Sequence, residues 1–203
     1  MRADSLVILD FETTGLSPDQ GDRAIEIGAV KLEAGEVVAE FQALMNPGFS
    51  VTSFIEGYTG ISNAMLAQAD SCREVMESFA EFIADNNLIA HNASFDRRFL
   101  DAEFSRFNHV YQGDFSCSLL LSRRIFQDAP SHSLGALVNY INLSGTGDFH
   151  RALYDAQMTA KLWMAMLDNI GERYGLFDLN FEQIQQVCKT PKKSVHKRLE
   201  SWQ

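Results

Sequence analysis

Long apolar runs are missing from this 203-residue sequence. The stretch Leu6-Val7-Ile8-Leu9, directly after Met1-Arg2-Ala3-Asp4-Ser5, is too short for a secretion signal or a membrane span. A cytoplasmic chain that does not enter membranes is expected. Cysteine is scarce: Cys72, Cys117 and Cys188 lie far apart without metal-ligand spacing, which excludes a disulfide framework and a zinc site. Reduced thiols are expected, with Cys117 and Cys188 filling core space among apolar neighbours. Internal repeats and low-complexity segments are absent. Positive charge is also in deficit, 17 Lys and Arg against 27 Asp and Glu, for a net charge of −10. Such a chain has no general phosphate-binding surface. Nucleic-acid chemistry stays open only if some carboxylates hold divalent cations, because bound ions reverse the local sign.

The deficit is uneven. Lys189, Lys192, Lys193, Lys197 and Arg198 against Glu200 give residues 189–203 a charge of +4, leaving −14 on the rest. This basic tail reads either as a solvated charge run or as a contact for a nucleic-acid backbone or a partner. The domain boundary is expected near Thr190-Pro191, giving one domain over 1–188 and a mobile tail over 189–203.

What is present is an alternation of strand and helix patterns, and at 46% hydrophobic the chain can bury a sizeable core. Leu6 to Glu12 reads as a buried strand ending in acids. Residues 24–33 alternate, with Ile25, Ile27 and Ala29 apolar; Ala34-Gly35 turns the chain, and Val37 to Met45 returns. Asn46-Pro47-Gly48 stops that strand. The segment Asn63 to Asn86 is helical in pattern, with Val75, Phe79, Phe82 and Ile83 spaced along one face. Leu88 to His91 reads as another buried strand, followed by a helix capped by Asn92 or Ser94. A strand near Phe115 precedes helices at 118–126, 132–142, 152–170 and 180–188, with loops at Gly145-Thr146-Gly147 and Gly171 to Leu179. Three consecutive strands, then strands separated by helices, predict an α/β fold with a mixed central sheet flanked by helices.

Three separated pieces carry the chemistry. In Asp10-Phe11-Glu12-Thr13-Thr14-Gly15-Leu16, Asp10 and Glu12 share one face of a strand while Phe11 points to the other. Two such carboxylates repel unless a cation lies between them, and oxygen ligands suit Mg²⁺ or Mn²⁺. Thr13, Thr14 and Gly15 then offer backbone N–H groups and close approach to a substrate. In His91-Asn92-Ala93-Ser94-Phe95-Asp96, Asp96 falls in the first turn of a helix after a buried strand, where α/β sheets collect their sites. In His150-Arg151-Ala152-Leu153-Tyr154-Asp155, the histidine precedes a helix that carries Asp155, so the two can converge. Each piece alone also has a plain structural reading: a strand end in solvent, a helix-start acid, a surface histidine.

Together, in this order and spacing, the pieces resemble the DEDDh (DnaQ-like) 3′→5′ exonuclease family, which includes the proofreading subunits of bacterial DNA polymerases. Asp10 and Glu12 match its first motif, Asp96 its second, and His150 with Asp155 its last. Tyr58-Thr59-Gly60-Ile61 and Ser131-His132-Ser133-Leu134-Gly135 also have the family's look, and the likeness runs over residues 5 to about 170. Arg151 stands where a sister group carries tyrosine, so the chain does not fit that group. The resemblance implies a ribonuclease-H-like fold and two-metal hydrolysis releasing nucleoside 5′-monophosphates. It implies that Asp10, Glu12, Asp96 and Asp155 hold two Mg²⁺ or Mn²⁺ ions and that His150 is the general base. It further implies that Glu12 and the backbone at Thr13 hold the 3′-hydroxyl, while Leu16, Ile61 and Phe95 pack on the last bases. Thr14 and Gly15 complete the substrate set.

The partner implied is a single-stranded 3′ end, and Thr13-Thr14-Gly15 looks closer to the DNA-acting members than to those degrading short RNA. A DNA polymerase is the implied protein partner if the chain proofreads. Two other readings stay open: an exoribonuclease of the same superfamily, and a catalytically silent nucleic-acid-binding or scaffold domain. His91 and His132 read as structural, and Arg97, Arg98, Arg123 and Arg124 could touch phosphate.

Overall fold

A computed structural model describes residues 1–145 and 151–203. Five strands, β1 (Leu6–Thr13), β2 (Ala24–Glu33), β3 (Glu36–Leu44), β4 (Leu88–Ala90) and β5 (Phe115–Cys117), form one mixed sheet ordered β3-β2-β1-β4-β5. The first three make an antiparallel meander, and β4 and β5 join in parallel to β1. The expected succession of strands along the chain and the mixed sheet are both found.

Alternation along β1 distributes its side chains between two cores. Leu6 and Ile8 enter one, with Val30, Leu32, Ile89 and Trp163; Val7, Leu9 and Phe11 enter the other, with Phe79, Phe99 and Phe104. The first core is covered by α5 (Ser118–Ile125), α6 (Leu134–Tyr140), α7 (Ala152–Tyr174), α8 (Phe181–Lys189) and α9 (Val195–Glu200), and the second by α3 (Cys72–Ile83) and α4 (Ser94–Ser105). Short α1 (Ser53–Thr59) and α2 (Asn63–Leu66) contribute to a small third cluster around Ile25, Val51, Ile61 and Leu66. β2 is therefore buried on both faces, which the simple alternation in its sequence did not anticipate.

Several boundaries depart from the sequence reading. The helix expected across Asn63–Asn86 is two helices, because Ser71 and Glu74 form a capping box that starts α3 afresh. Neither Asn92 nor Ser94 caps α4: Asn92 takes a left-handed φ of 70°, the cap position is Ala93, and no side chain accepts there. Helix α7 continues through the expected loop start at Gly171 and stops at Gly175 in the left-handed region, where its N–H donates to Gly171 O. The segment expected as a mobile tail is folded: a turn at Lys192–Ser194 leads into α9, whose Val195 and Leu199 are buried in the first core. Of the loop expected at Gly145-Thr146-Gly147, the last two residues lie outside the described residues, as does His150.

Candidate active site

The acids converge because of where their elements end. Continuing the alternation of β1, Asp10 and Glu12 follow Leu6 and Ile8 on the face covered by α7. Asp155 lies in the first turn of α7. Carboxylate oxygens of Asp10, Glu12 and Asp155 all come within 4.8 Å of one another. Asp96 arrives from the opposite layer, in the first turn of α4 just beyond the C-terminal end of β4. Its Oδ1 accepts from the Phe11 N–H at 3.2 Å, between the two strand acids in sequence. Strands β1 and β4 are parallel neighbours, so their C-terminal ends and the helix that follows β4 meet at one place.

Crowding acids into a largely buried site raises the carboxyls of Asp10, Glu12 and Asp96. Burial first, then the charges of Asp96, Asp155, Glu12 and Glu26, raise the Asp10 carboxyl well above the usual carboxylate range. Burial and the neighbouring Asp155 and Glu26 push Glu12 up to about 8. Asp96 is pushed up to about 7 by burial, partly offset by the N–H bonds it accepts. A bound cation would reverse this, because it favours the ionised form of every ligand. The donor set is all oxygen, so the residues fit a hard divalent ion of the Mg²⁺ or Mn²⁺ kind.

Two residues that the sequence reading did not single out organise this site. Glu26 on β2 stands opposite Glu12 in the strand register and has no exposed surface. It accepts from Arg151 Nη2 at 2.9 Å and Nε at 3.2 Å, from Gln42 Nε2 at 2.9 Å, and from the Ala152 N–H at 3.2 Å. No side chain of α7 itself caps that helix, so a carboxylate from a distant strand satisfies one of its unpaired N–H groups. The same carboxylate fixes the turn that carries Asp155. Gly28, two residues along, lets the backbone of α7 at Ala152-Leu153 lie directly on the strand, where any Cβ would collide with it. The signal was present: a glutamate and a glycine interrupt the apolar run Ala24-Ile25-Glu26-Ile27-Gly28-Ala29.

The remaining residues expected at the site are placed as follows. Leu16 is 74% exposed at the rim, and Phe95 is half-buried, its ring 5.0 Å from that of Phe99. Thr13 is buried and its hydroxyl donates to Gly15 O at 2.6 Å. The Thr14 N–H donates to Arg23 O at 2.9 Å, so it closes a turn instead of facing a substrate. At Gly15 the space a side chain would take is filled by the Asp22 carboxylate, which accepts from Ser17 N–H and the Thr14 hydroxyl. Ile61 has no exposed surface and packs beside Ile25, Val51 and Leu66.

His91 is structural, as expected: Nε2 donates to His132 O and Nδ1 meets Ser118 Oγ, both at 2.9 Å, tying β4 to α5 and the loop before α6. Burial lowers its pKa, so it stays neutral. Of the arginines expected near phosphate, Arg97 pairs with Asp101 and Arg124 donates to Thr190 O. Among the described residues no helix is long and apolar enough to cross a membrane.

Comparison with known proteins matches this geometry. The family model described as Exonuclease (RNase_T) matches residues 7–163. The DNA polymerase III subunit epsilon of Aquifex aeolicus is 30% identical over 175 residues, covering 86% of both chains. The PolC-type DNA polymerase III of Caldanaerobacter subterraneus subsp. tengcongensis is 36% identical over 166 residues, 82% of this chain. The chain spans only about 12% of the length of that relative. Among solved structures, exonuclease X in complex with 5′ overhanging duplex DNA superposes with a TM-score of 0.72 at 26% identity, covering 90% of this chain and 99% of that one.

Proposed function

The chain belongs to the DEDDh, DnaQ-like 3′→5′ exonuclease family, and from that premise we propose that it removes nucleotides singly from the 3′ end of a DNA strand as nucleoside 5′-monophosphates. The observation that carries this reading is the meeting of Asp10, Glu12 and Asp155, with Asp96 facing them from the other side of the sheet.

In this reading Asp10, Glu12 and Asp155 hold one divalent ion, and Asp10 with Asp96 supports a second. When bound, such a pair stabilises the attacking and leaving oxygens of an in-line displacement at phosphorus. The chain's own residues do the rest. Glu12 and the backbone at Thr13 orient the terminal 3′-hydroxyl, while the exposed Leu16 and the half-buried Phe95 contact the last bases without regard to sequence. Ile61, buried among Ile25, Val51 and Leu66, has no exposed surface with which to meet a base. His150, which immediately precedes Arg151, takes the proton from the attacking water; an unperturbed imidazole titrates near neutrality, at about 6.5. The Glu26–Arg151 pair anchors the start of α7, the helix that carries Asp155.

DNA is the favoured substrate because relatives over most of this domain are DNA polymerase III components. A proofreading role beside a polymerase follows from the same likeness. The test is degradation of matched DNA and RNA oligomers with Mg²⁺ or Mn²⁺. Mononucleotides should appear from DNA, vanish in Asp10→Ala and drop sharply in His150→Ala. An unchanged rate in His150→Ala would remove that residue from the role of base, and faster trimming of RNA would reverse the substrate.

A further inference from the structure

Outside the acidic site, the folded C-terminal segment builds a surface that the reaction has not yet used. A cavity of about 580 Å³ is lined by Lys189 at the end of α8, Lys197 and Arg198 on α9, and the hydroxyl residues Thr190, Ser194 and Ser201. Among the described residues no carboxylate lines it, and none pairs with these three cations. Two other exposed arginines, by contrast, do pair with acids, Arg73 with Glu77 and Arg97 with Asp101. The guanidinium of Arg198 lies 5.9 Å from the Trp202 ring, which limits its freedom to turn away. Residues outside 189–203 sum to −14, and clustered cations without a carboxylate partner repel one another and gain from a polyanion.

A second groove links this one to the start of α4, the helix that carries Asp96. A second cavity, of about 450 Å³, runs from Ser94 and Arg97 at the start of α4 along β5 to Cys188 and Lys189. Lys189 lines both cavities. Ser94 and Arg97 flank Phe95 and Asp96 in the first turns of α4, so the second cavity opens beside the helix that brings Asp96 to the acids, and Asp114 is the one carboxylate along it. We propose that this basic groove of the C-terminal segment is a track for the phosphate backbone of the substrate strand, upstream of the 3′ end held among the acids. The proposal rests on the exonuclease reading of that site. It gives the chain a way to hold a polyanion despite its overall negative charge. It also separates two tasks, since the acids bind the scissile end while the groove binds length.

The track is tested by replacing Lys189, Lys197 and Arg198 together with glutamine; all three side chains are exposed, so the melting temperature should not move. Binding of a 5′-fluorescent oligothymidylate long enough to reach the groove is measured in chelator, where hydrolysis cannot interfere. Affinity should fall on the order of tenfold, and the slope of log affinity against log salt should become shallower by about two, from roughly 0.7 per lost phosphate contact on a single strand. Turnover of a dinucleotide, too short to reach the groove, should be unchanged. Equal affinity and slope in both proteins would overturn the track, as they would if the segment instead docked an acidic protein. A parallel fall in dinucleotide turnover would also overturn it, because the effect would then lie at the acids. If the unaltered protein cleaves neither substrate, the exonuclease reading fails, whereas the salt slope measured in chelator still decides the groove.

Discussion

With no metal ion bound among its acids, the protein should lose stability as pH rises, in the range where most proteins are most stable. The cause is Glu12, 8% exposed and pushed up to about 8 by burial and by its acidic neighbours. In the unfolded chain it titrates at an ordinary value near 4.5. Between these two values the folded state holds a proton that the unfolded state has released, so stability must fall with rising pH. Each pH unit through that window costs about 1.4 kcal/mol for one such group. The full span would give about 5 kcal/mol, but four neighbouring acids share the effect, and roughly 3 kcal/mol is expected.

For a chain of this size that corresponds to a fall in melting temperature of roughly 6–12 °C. His91 works in the opposite direction: kept neutral by burial, it favours the fold more as pH rises through its unfolded value. Glu12→Gln carries the same histidine, so the difference between the two proteins isolates the acid. Melting followed by circular dichroism in chelator, from mildly acidic to mildly alkaline pH, should show the unaltered protein losing ground to Glu12→Gln as pH rises. Excess Mn²⁺ at the alkaline end should restore most of it, and move the variant less. A difference that stays flat or grows in favour of the unaltered protein would refute the account of the site as mutually repelling carboxylates.

Other outcomes follow from the supports around the acids. Gly28→Ala sets a methyl group into the backbone of α7, which must shift and carry Asp155 with it; stability should drop by about 3 kcal/mol and the exonuclease rate on the order of a hundredfold, measured by denaturant unfolding and single-turnover cleavage. Arg151→Met leaves Glu26 buried with only Gln42 and the Ala152 N–H as donors; a loss of roughly 2–3 kcal/mol is expected, below the range for a fully buried pair because the arginine is partly exposed. Its calorimetric affinity for Mn²⁺ should change as well, since Glu12 loses a neighbouring positive charge. Leu199→Ala, in the segment once expected to be mobile, should destabilise the whole domain by about 2–4 kcal/mol in a single cooperative transition; an unchanged unfolding midpoint would show that α9 is not part of the core.

Much of this was legible before any coordinates. Asp10, Glu12, Asp96 and Asp155 were placed by motif order, and a strand's twofold period already put the first two on one face. The strands were legible because their apolar runs are short and bounded by turns. What escaped depended on tertiary partners. The break before α3 rests on a reciprocal Ser71–Glu74 cap inside a segment that still looks helical by period. Glu26 looked like the polar side of a half-exposed strand until α7 was seen lying on it. Thr14 and Gly15 looked like a substrate-facing turn, yet the turn is closed by Arg23 and Asp22, eight or more residues away. The basic segment's composition suggested solvent, because the pair Val195 and Leu199 is too brief to announce a packed helix.

Asp96 reaches its neighbours from the α4 side of the sheet, and Asp155 from the α7 side. On the proposed reading, the ligand set would be a clasp whose two halves are mounted on separate slabs of apolar packing. A cavity opened at Phe79 or at Trp163, each deep in a different slab, would let its half of the clasp drift. Cation affinity would then be a gauge of how well the slabs are seated, sensitive to changes far from any carboxylate.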